Sequence, residues 1–333
     1  MRPRGNMPPV PMSMCRGRPL RGLTLIELLV VIAIIGMLMA ITLPAVQSVR
    51  EATRLVECGN NERQVALAIL GYHEAHRRFP SQYGWSSGRA GVGACGTLFF
   101  HILPFLEEMP LFESARVPDF AGIKRRVISI SGSGPYTEYA NTFDSRNRIL
   151  RQFIDMYQCP SEPSAGYVRE SFGWRGASYG SNFQVFGNAS SVVIWMWRNT
   201  AVQQSVEIWQ GRRGLEDITD GSSKTVAIAE KFGTCNSVRR GPVRGGTMWS
   251  RWDWLDTWHP TFAADSSFQQ AKSMFQDNPL PYIYPGPCNA AVPQTAHQGG
   301  VMNVAFLDGG VRRLEASMDA EAWWALCTSA SRD

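Results

Sequence analysis

One apolar segment near the N-terminus constrains this chain more than any other feature. Glu27 is the only charged residue between Leu23 and Val49, and the sixteen residues from Leu28 to Leu43 carry no charge at all. As a helix rising about 1.5 Å per residue, those sixteen residues span about 24 Å and the whole segment about 40 Å, against roughly 30 Å of bilayer hydrocarbon. Since lipid offers no hydrogen-bond partners to an open backbone, we predict a transmembrane helix over residues 23–49.

The charge of the chain is concentrated ahead of this segment. Of the 33 basic residues, five arginines lie in residues 1–22, which contain no acidic residue, and the other 28 balance the 28 acidic residues. No basic run with interleaved aromatic residues follows Leu23. We therefore expect no nucleic-acid partner, because phosphate binding needs a localised excess of basic side chains.

Two ordinary interpretations of the segment each leave a feature unexplained. A secretory signal peptide has an apolar region of about 7–15 residues followed by a small-residue cleavage site, but here the small residue, Gly22, precedes a longer apolar run. A signal anchor that is never cut would carry Glu27 at a cost of about 3 kcal/mol. A third interpretation accounts for both features.

Residues 21–31, RGLTLIELLVV, resemble the prepilin signal of type IV pilins and type II secretion pseudopilins. The resemblance implies that prepilin peptidase/N-methyltransferase cuts after Gly22 and methylates Leu23, which stands where Phe is usual. Glu27 then occupies the fifth mature position. It also implies an inner-membrane location, and pilin-like subunits or the type II secretion or type IV pilus machinery as partners.

The position of Glu27 also has a physical explanation. Cleavage creates a free amine at Leu23, and Glu27 lies four residues on, one helical turn away on the same face. A carboxylate without a partner is unfavourable in hydrocarbon, so it pairs with this amine or with that of a neighbouring subunit. Such a pair favours the correct axial register during assembly, and we predict that Glu27 is an assembly residue.

The helix is expected to continue beyond the membrane. We predict a kink or a new turn at Pro44, an amphipathic extension over residues 50–79 with a weak point at Gly59–Asn61, and an end near Phe79–Pro80. The apolar positions predicted to face a partner surface are Val49, Ala52, Val56, Ala66, Ile69 and Leu70.

Residues 80–333 change to short apolar stretches separated by turn-forming residues. The predicted elements are a buried helix or strand at 97–107, an amphipathic helix at 148–157, strands at 192–197, 225–230 and 301–307, and a terminal helix at 319–328 with Asp319 as N-cap. Residues 122–139 and 269–287 are predicted loops. The fold class is α+β: a long transmembrane and amphipathic helix, then a pilin-like globular domain with an antiparallel sheet.

Five blocks of this domain resemble one bacterial family of prepilin-type proteins with a large domain of unknown function. The blocks are ECGNN (57–61) with YHEAH (72–76) and FP (79–80), LPFLE (103–107), CPSEP (159–163), DITDGSSKT (217–225), and HQGG (297–300) through DGGVR (308–312). The family signature is His, nine residues, then Asp-Gly, whereas ten residues separate His297 from Asp308. We predict that the extra residue, taken as Met302, adds a bulge or reverses the strand alternation.

The residues around Asp308 and Gly309 predict a hairpin between strands 301–307 and 311–314, because Asp-Gly supplies the positive φ of a tight turn. His297 is then expected to hydrogen-bond to this corner, with a ligand role as the alternative. Asp217 and Asp220 offer oxygen ligands for calcium, as in some type II secretion pseudopilins, or else belong to an ordinary turn.

Six cysteines remain after removal of Cys15 with the leader: Cys58, Cys95, Cys159, Cys235, Cys288 and Cys327. In an oxidising compartment they permit three disulfides in any of fifteen pairings, although a core of this size does not need them.

Two further patterns each have an ordinary structural explanation. Gly176–Gly180 matches a nucleophile elbow around Ser178, followed by Asp220, Asp256 and His297 in the hydrolase order, but no buried strand precedes Ser178 and no helix follows. The eleven Trp, including Trp249 and Trp323, favour core packing or a subunit interface over a carbohydrate platform.

The combined hypothesis is a pilin-like or pseudopilin-like protein anchored by a single pass in the inner membrane, with its domain outside and the cell surface as a further destination. It acts by assembly or display, not as an enzyme, and needs no cofactor apart from the calcium considered above. The alternative is an anchored module that binds a solute or glycan and uses the prepilin signal for export only.

Overall fold

The structure, a computed structural model, describes part of the chain in two compact units, residues 1–49 and 50–333. The described residues are 24–85, 95–114, 148–164, 175–187, 211, 213–236, 244–249, 260–263, 275–280 and 286–329. The predicted strand at 192–197, the loop at 122–139, Asp256, Gly22 and Leu23 lie outside them.

Helix α1 runs from Leu25 to His76. It begins with a capping box: the Thr24 hydroxyl accepts from the backbone N–H of Glu27 (3.3 Å), and the Glu27 carboxylate accepts from the backbone N–H and the hydroxyl of Thr24 (both 2.9 Å). The helix continues through Pro44 and through Gly59–Asn61, where a weak point was predicted.

Within residues 50–76, α1 buries one stripe against the domain. The stripe includes Cys58, Glu62, Val65, Ile69 and Tyr72, spaced three or four residues apart as one helical face requires. The predicted stripe was correct at Ala66 and Ile69 but wrong at Ala52 and Val56, which are exposed. In the part of this face nearest residue 50, the partly buried residues are Glu51 and Leu55, so the buried face is rotated from the one that the apolar positions Ala52 and Val56 predicted.

Within the described residues, eleven strands and four further α-helices follow α1. The strands are β1 (Tyr83–Trp85), β2 (Cys95–Thr97), β3 (Tyr179–Asn182), β4 (Val226–Glu230), β5 (Thr234–Asn236), β6 (Arg244–Gly246), β7 (Thr261–Phe262), β8 (Gln276–Asp277), β9 (Gln294–Thr295), β10 (Val301–Phe306) and β11 (Val311–Glu315). The helices are α2 (Leu98–His101), α3 (Met109–Ser114), α4 (Phe183–Phe186) and α5 (Ala320–Cys327).

The central sheet has the order β11-β10-β4-β3-β7. Its pairs are antiparallel except β3–β7, which is parallel, so the sheet is mixed rather than purely antiparallel. The predicted strands at 225–230 and 301–307 are confirmed as β4 and β10. The overall α+β class is confirmed, with the long apolar helix ahead of the globular domain.

The sheet separates two cores because successive residues of a strand face opposite sides. Ala305 packs in the core that contains the buried stripe of α1, whereas Val304 and Phe306 pack in the other core with Trp323 of α5. Helix α5 is the predicted terminal helix, and its N-cap is Asp319, whose carboxylate accepts from the N–H groups of Glu321 and Ala322.

Two other sequence predictions need correction. The segment 148–157 forms two short 3₁₀ helices, Arg148–Arg151 and Asp155–Tyr157, instead of one α-helix. The carbonyl of Gln152, between them, accepts a bond from Trp249 Nε1 (3.2 Å), a tertiary contact that sequence periodicity does not reveal. The segment 97–107 divides into α2 and the 3₁₀ helix Leu103–Leu106, both largely buried.

The hairpin between β10 and β11 is confirmed, and Gly309 at its turn has φ of +81°. Met302 does not add a bulge: it pairs regularly with Leu314 and is fully buried. The register irregularity lies instead between Ala305 and Phe306, on the side that pairs with β4. The extra residue of the family spacing therefore leaves the β10–β11 alternation intact.

Candidate functional site

The N-terminal segment carries its single charge at the start of α1. The apolar part of this helix is long and apolar enough to cross a membrane, judged by length and composition, and its side chains there are exposed. Glu27 is the third residue of the helix and its carboxylate reaches back to Thr24, directly beside the position of the predicted new N-terminus.

A second candidate site is a buried cluster centred on His297. The Nδ1 atom of His297 lies 2.8 Å from Oε1 of Glu51 on α1, and Nε2 lies 3.0 Å from Oε1 of Glu230 at the end of β4. His297 and Glu230 are almost fully buried, at 1% and 3% exposure. One imidazole therefore joins the helix to the sheet.

Neutral side chains complete the hydrogen bonding of the two carboxylates. The hydroxyl of Ser161 donates to Glu51 Oε1 (2.9 Å), and Asn303 Nδ2 on β10 donates to Glu230 Oε1 (2.9 Å). The same Asn303 amide also donates to the carbonyl of Leu55 on α1 (3.1 Å). Buried carboxylates need such partners, so the cluster fixes α1, β4 and β10 in one arrangement.

The environment of His297 favours its charged form. Burial by itself lowers the pKa of the imidazole, but the hydrogen bonds and negative charges of Glu230 and Glu51 outweigh it, and the net pKa is raised. An imidazole that faces a carboxylate with each ring nitrogen can donate to both only when both nitrogens carry a proton. The cluster is thus a carboxylate–imidazolium–carboxylate chain.

Two disulfides are present among the described residues: Cys58–Cys159, which ties α1 to the domain, and Cys235–Cys288. The first lies against the cluster, with Cys159 Sγ 3.7 Å from His297 Nε2. Cys327 is a free, buried thiol, and the side chain of Cys95 lies outside the description. Of the three disulfides that the six cysteines permit, the described residues contain two, and their pairing is now defined.

Glu62 lies one turn beyond Cys58 on the buried stripe and is fully buried. Among the residues that the structure describes, neither of its carboxyl oxygens has a hydrogen-bond partner. Burial, reinforced by the charge of Glu230, raises the pKa of Glu62 well above its usual range. This shift favours the neutral, protonated form of the Glu62 side chain beside the cluster.

The structure separates His297 from Asp308 and Gly309. Gly309 packs on Leu67 of α1, sixteen residues beyond Glu51, or about 24 Å along a helix. Asp308 is exposed and its carboxylate accepts from the N–H of Gly310 (2.8 Å), which closes the hairpin turn. The ring of His297 therefore bonds to Glu51 and Glu230 instead of the hairpin corner.

The two aspartates considered for calcium lie in a turn ahead of β4. Asp217 ends the 3₁₀ helix Leu215–Asp217, and its carboxylate accepts from the N–H of Gly214 (2.8 Å). Thr225 donates its hydroxyl to the carbonyl of Gly221 (3.2 Å) in the same region. Such local bonds occur in ordinary turns, and calcium binding by Asp217 and Asp220 stays a prediction.

The described surroundings of Ser178 differ from those of a nucleophile elbow, and Asp256 of the hydrolase pattern lies outside the described residues. The strand β3 follows this residue instead of preceding it, and the Ser178 hydroxyl donates to Glu162 (3.3 Å). Trp249 and Trp323, the two described Trp with the lowest exposure, are buried in the two cores, which fits core packing. Sequence reasoning missed Glu51, Glu62 and Glu230; the acidic end of the otherwise apolar strand at 226–230 was the one available signal.

Comparison with protein families agrees with this organisation. Residues 18–43 match the prokaryotic N-terminal methylation motif, which defines the chain as a prepilin-type protein processed by prepilin peptidase and linked to pilus or secretion machinery. Residues 47–321 match the family described as "Protein of unknown function (DUF1559)", and the chain belongs to that family. No curated protein and no solved structure shows significant similarity to it.

Proposed function

We propose that this protein is a pilin-like or pseudopilin-like subunit, anchored in the inner membrane by a single helix, that acts by assembly or surface display and not by catalysis. The observation that carries the proposal is the methylation motif with Glu27 as the only charge in the apolar segment. The large domain is then extracytoplasmic, which agrees with its two disulfides, since disulfides persist in oxidising compartments.

The geometry at the start of α1 supports a role for Glu27 in assembly. Its carboxylate already lies within hydrogen-bond distance of the N–H of Thr24. Cleavage after Gly22 would place a cationic amine on the adjacent Leu23, one residue from that N–H. In hydrocarbon, this amine and the carboxylate are each other's best partners, within one chain or between two.

The disulfide supports a fixed attachment of the second half of α1 to the globular unit. Cys58, within residues 50–76 of α1, is bonded covalently to Cys159.

The first test is the intact mass and N-terminal sequence of the protein from its native membranes. We expect a chain that begins at Leu23 and carries one added methyl group. A chain that still bears Met1, or begins near Val46, would overturn processing by prepilin peptidase.

The second test is Glu27→Gln, with Glu57→Gln as the control, since Glu57 is an exposed acidic residue on the same helix. Membranes from cells that express each variant are cross-linked, and the multimers are compared with wild type. We expect Glu27→Gln to lose the multimers while Glu57→Gln keeps them. Equal multimers in both variants would favour the alternative, an anchored solute- or glycan-binding module.

The absence of catalysis has its own test. Ser178→Ala removes the only nucleophile that the hydrolase pattern singled out, and we expect it to leave every measurable activity of the membrane-bound protein unchanged. Loss of an activity in this variant, with the fold intact, would point to an enzyme.

A further inference from the structure

The described residues contain one group of side chains with the donor set of a transition-metal site. Cys58, Cys159, Glu230 and His297 are all buried, and each offers one ligand atom, the four atoms lying within 4.8 Å of one another. We propose that these four side chains bind one divalent transition-metal ion, of the Zn²⁺ type, when Cys58 and Cys159 are reduced. The disulfide and the metal are then alternative links between α1 and the sheet.

The distances suit a tetrahedral ion. With Zn–S near 2.3 Å and Zn–N or Zn–O near 2.0–2.1 Å, the ligand atoms of a tetrahedral site lie roughly 3.3–3.8 Å apart. Cys159 Sγ and His297 Nε2 are already 3.7 Å apart, and Nε2 and Glu230 Oε1 are 3.0 Å apart. The two bonded sulfurs must separate when the bond between them is reduced, and the other ligand atoms, all within 4.8 Å of one another, must adjust to the tetrahedral spacing.

The surrounding hydrogen bonds already orient the ligands for this purpose. His297 Nδ1 faces Glu51 Oε1 at 2.8 Å, which leaves Nε2 directed toward the two sulfurs and Glu230. Asn303 Nδ2 holds Glu230 Oε1 at 2.9 Å. A carboxylate behind a ligating imidazole is the usual outer shell of a zinc-binding histidine, because it fixes the ring and increases its basicity.

The redox step and the charges balance with a dithiol as reductant. The Cys58–Cys159 bond breaks as its sulfurs take up two electrons and two protons, and the reductant becomes a disulfide. Metal binding then releases three protons to solvent, one from each thiol and one from His297 Nε2. Two thiolates, one carboxylate and a neutral imidazole remain around the ion, a donor set that favours Zn²⁺ over Mg²⁺ or Ca²⁺.

The experiment uses the full-length protein in detergent and needs no variant for its central comparison. Oxidised and dithiol-reduced samples are loaded with Zn²⁺ or Co²⁺ without oxygen, freed of excess metal, and analysed for bound metal and for the cobalt absorption spectrum. We expect one ion per reduced chain, with tetrahedral ligand-field bands and thiolate-to-cobalt charge transfer, and none per oxidised chain.

Variants then locate the ion. Cys58→Ser/Cys159→Ser is expected to lose the ion and its thiolate bands, whereas Cys235→Ser/Cys288→Ser, which removes the other disulfide, is expected to keep both. Glu51→Gln should weaken Zn²⁺ affinity about 10- to 100-fold through His297, and the exposed Glu57→Gln should not change it.

Two results would overturn the proposal. One is a reduced wild-type chain that retains no stoichiometric Zn²⁺ or Co²⁺. The other is thiolate-to-cobalt absorption that persists unchanged in Cys58→Ser/Cys159→Ser, since the metal would then lie on other thiols such as Cys327.

Discussion

His297 Nδ1 lies 2.8 Å from Glu51 Oε1, although 246 residues separate the two positions in the chain. Through its other nitrogen the same ring reaches Glu230, so the imidazole closes a chain of three buried or half-buried ionisable groups. Because a helix and a strand contribute one carboxylate each, removal of the ring affects the docking of α1 on the sheet.

We expect His297→Gln to destabilise the domain by about 3–5 kcal/mol, because it leaves Glu230 buried without its cationic partner. Urea unfolding of the protein in detergent, followed by tryptophan fluorescence, measures the loss. Gln298, the exposed neighbour of His297, provides the control. Gln298→Ala should change the free energy of unfolding by less than about 0.5 kcal/mol. Equal effects of the two variants would mean that the imidazole carries no net charge interaction.

The contribution of His297 should also depend on pH. Its pKa in the folded protein lies above that of the unfolded chain, so the stabilisation is complete below about pH 6.5 and is lost as the pH rises through the raised value. The difference in unfolding free energy between wild type and His297→Gln should therefore shrink from pH 6 to pH 9. A difference that grows over this range contradicts the assignment.

Glu62→Leu should stabilise the domain at pH 7 by about 1–3 kcal/mol. The native carboxyl is fully buried, and neither oxygen has a hydrogen-bond partner in the described part of the chain; an apolar side chain of similar size removes that cost. Glu62→Gln is the matched control, because its amide is equally unpartnered and should gain less. Destabilisation by Leu would show that the carboxyl has a partner that outweighs its burial.

Because of Glu162, the free energy of unfolding should decrease as the pH rises from about 4.5 to about 7. Burial raises the pKa of Glu162 to about 7, against the hydrogen bonds from Ser164, Gly233 and Ser178 that lower it. In this pH window the Glu162 carboxyl is protonated in the folded state but ionised in the unfolded state. The folded state therefore loses stability on the order of 3 kcal/mol as the pH rises. Glu162→Gln, which mimics the protonated acid, should flatten this part of the pH profile of urea unfolding; an unchanged slope would assign it to other groups.

Gly309→Ala should cost more than Gly221→Ala, although both glycines have positive φ, +81° and +95°. Each substitution places a side chain in the left-handed region, at about 1–2 kcal/mol. A Cβ on Gly309 would also lie 3.2 Å from Leu67 Cδ2, whereas nothing lies within 4 Å of one on Gly221. Thermal unfolding of the two variants measures the difference, and a larger loss for Gly221→Ala would contradict the packing of the hairpin on α1.

Local patterns were sufficient for some parts of this protein. The apolar segment with Glu27, the hairpin at Asp308–Gly309 and the N-cap Asp319 each depend on residues within a few positions of one another. The rules of helix periodicity, turn geometry and capping act over the same distance, so the sequence predicts these features without knowledge of the fold.

The candidate cluster depends on contacts between residues that are far apart in the sequence. Glu230 and His297 are 67 residues apart, and Cys58 and Cys159 are 101 apart. The sequence permitted fifteen disulfide pairings and placed His297 at the hairpin, because no local rule connects such positions.

The sequence by itself therefore determined the long apolar N-terminal helix, its prepilin-type signal and the α+β class. Only the tertiary structure decided which face of α1 is buried and which ionisable groups meet there. The physical reason is that acidic side chains at Glu51, Glu62 and Glu230 oppose the hydrophobic pattern from which a buried face is predicted. They are accommodated by partners, or by protonation, that exist only once the helix lies on the sheet.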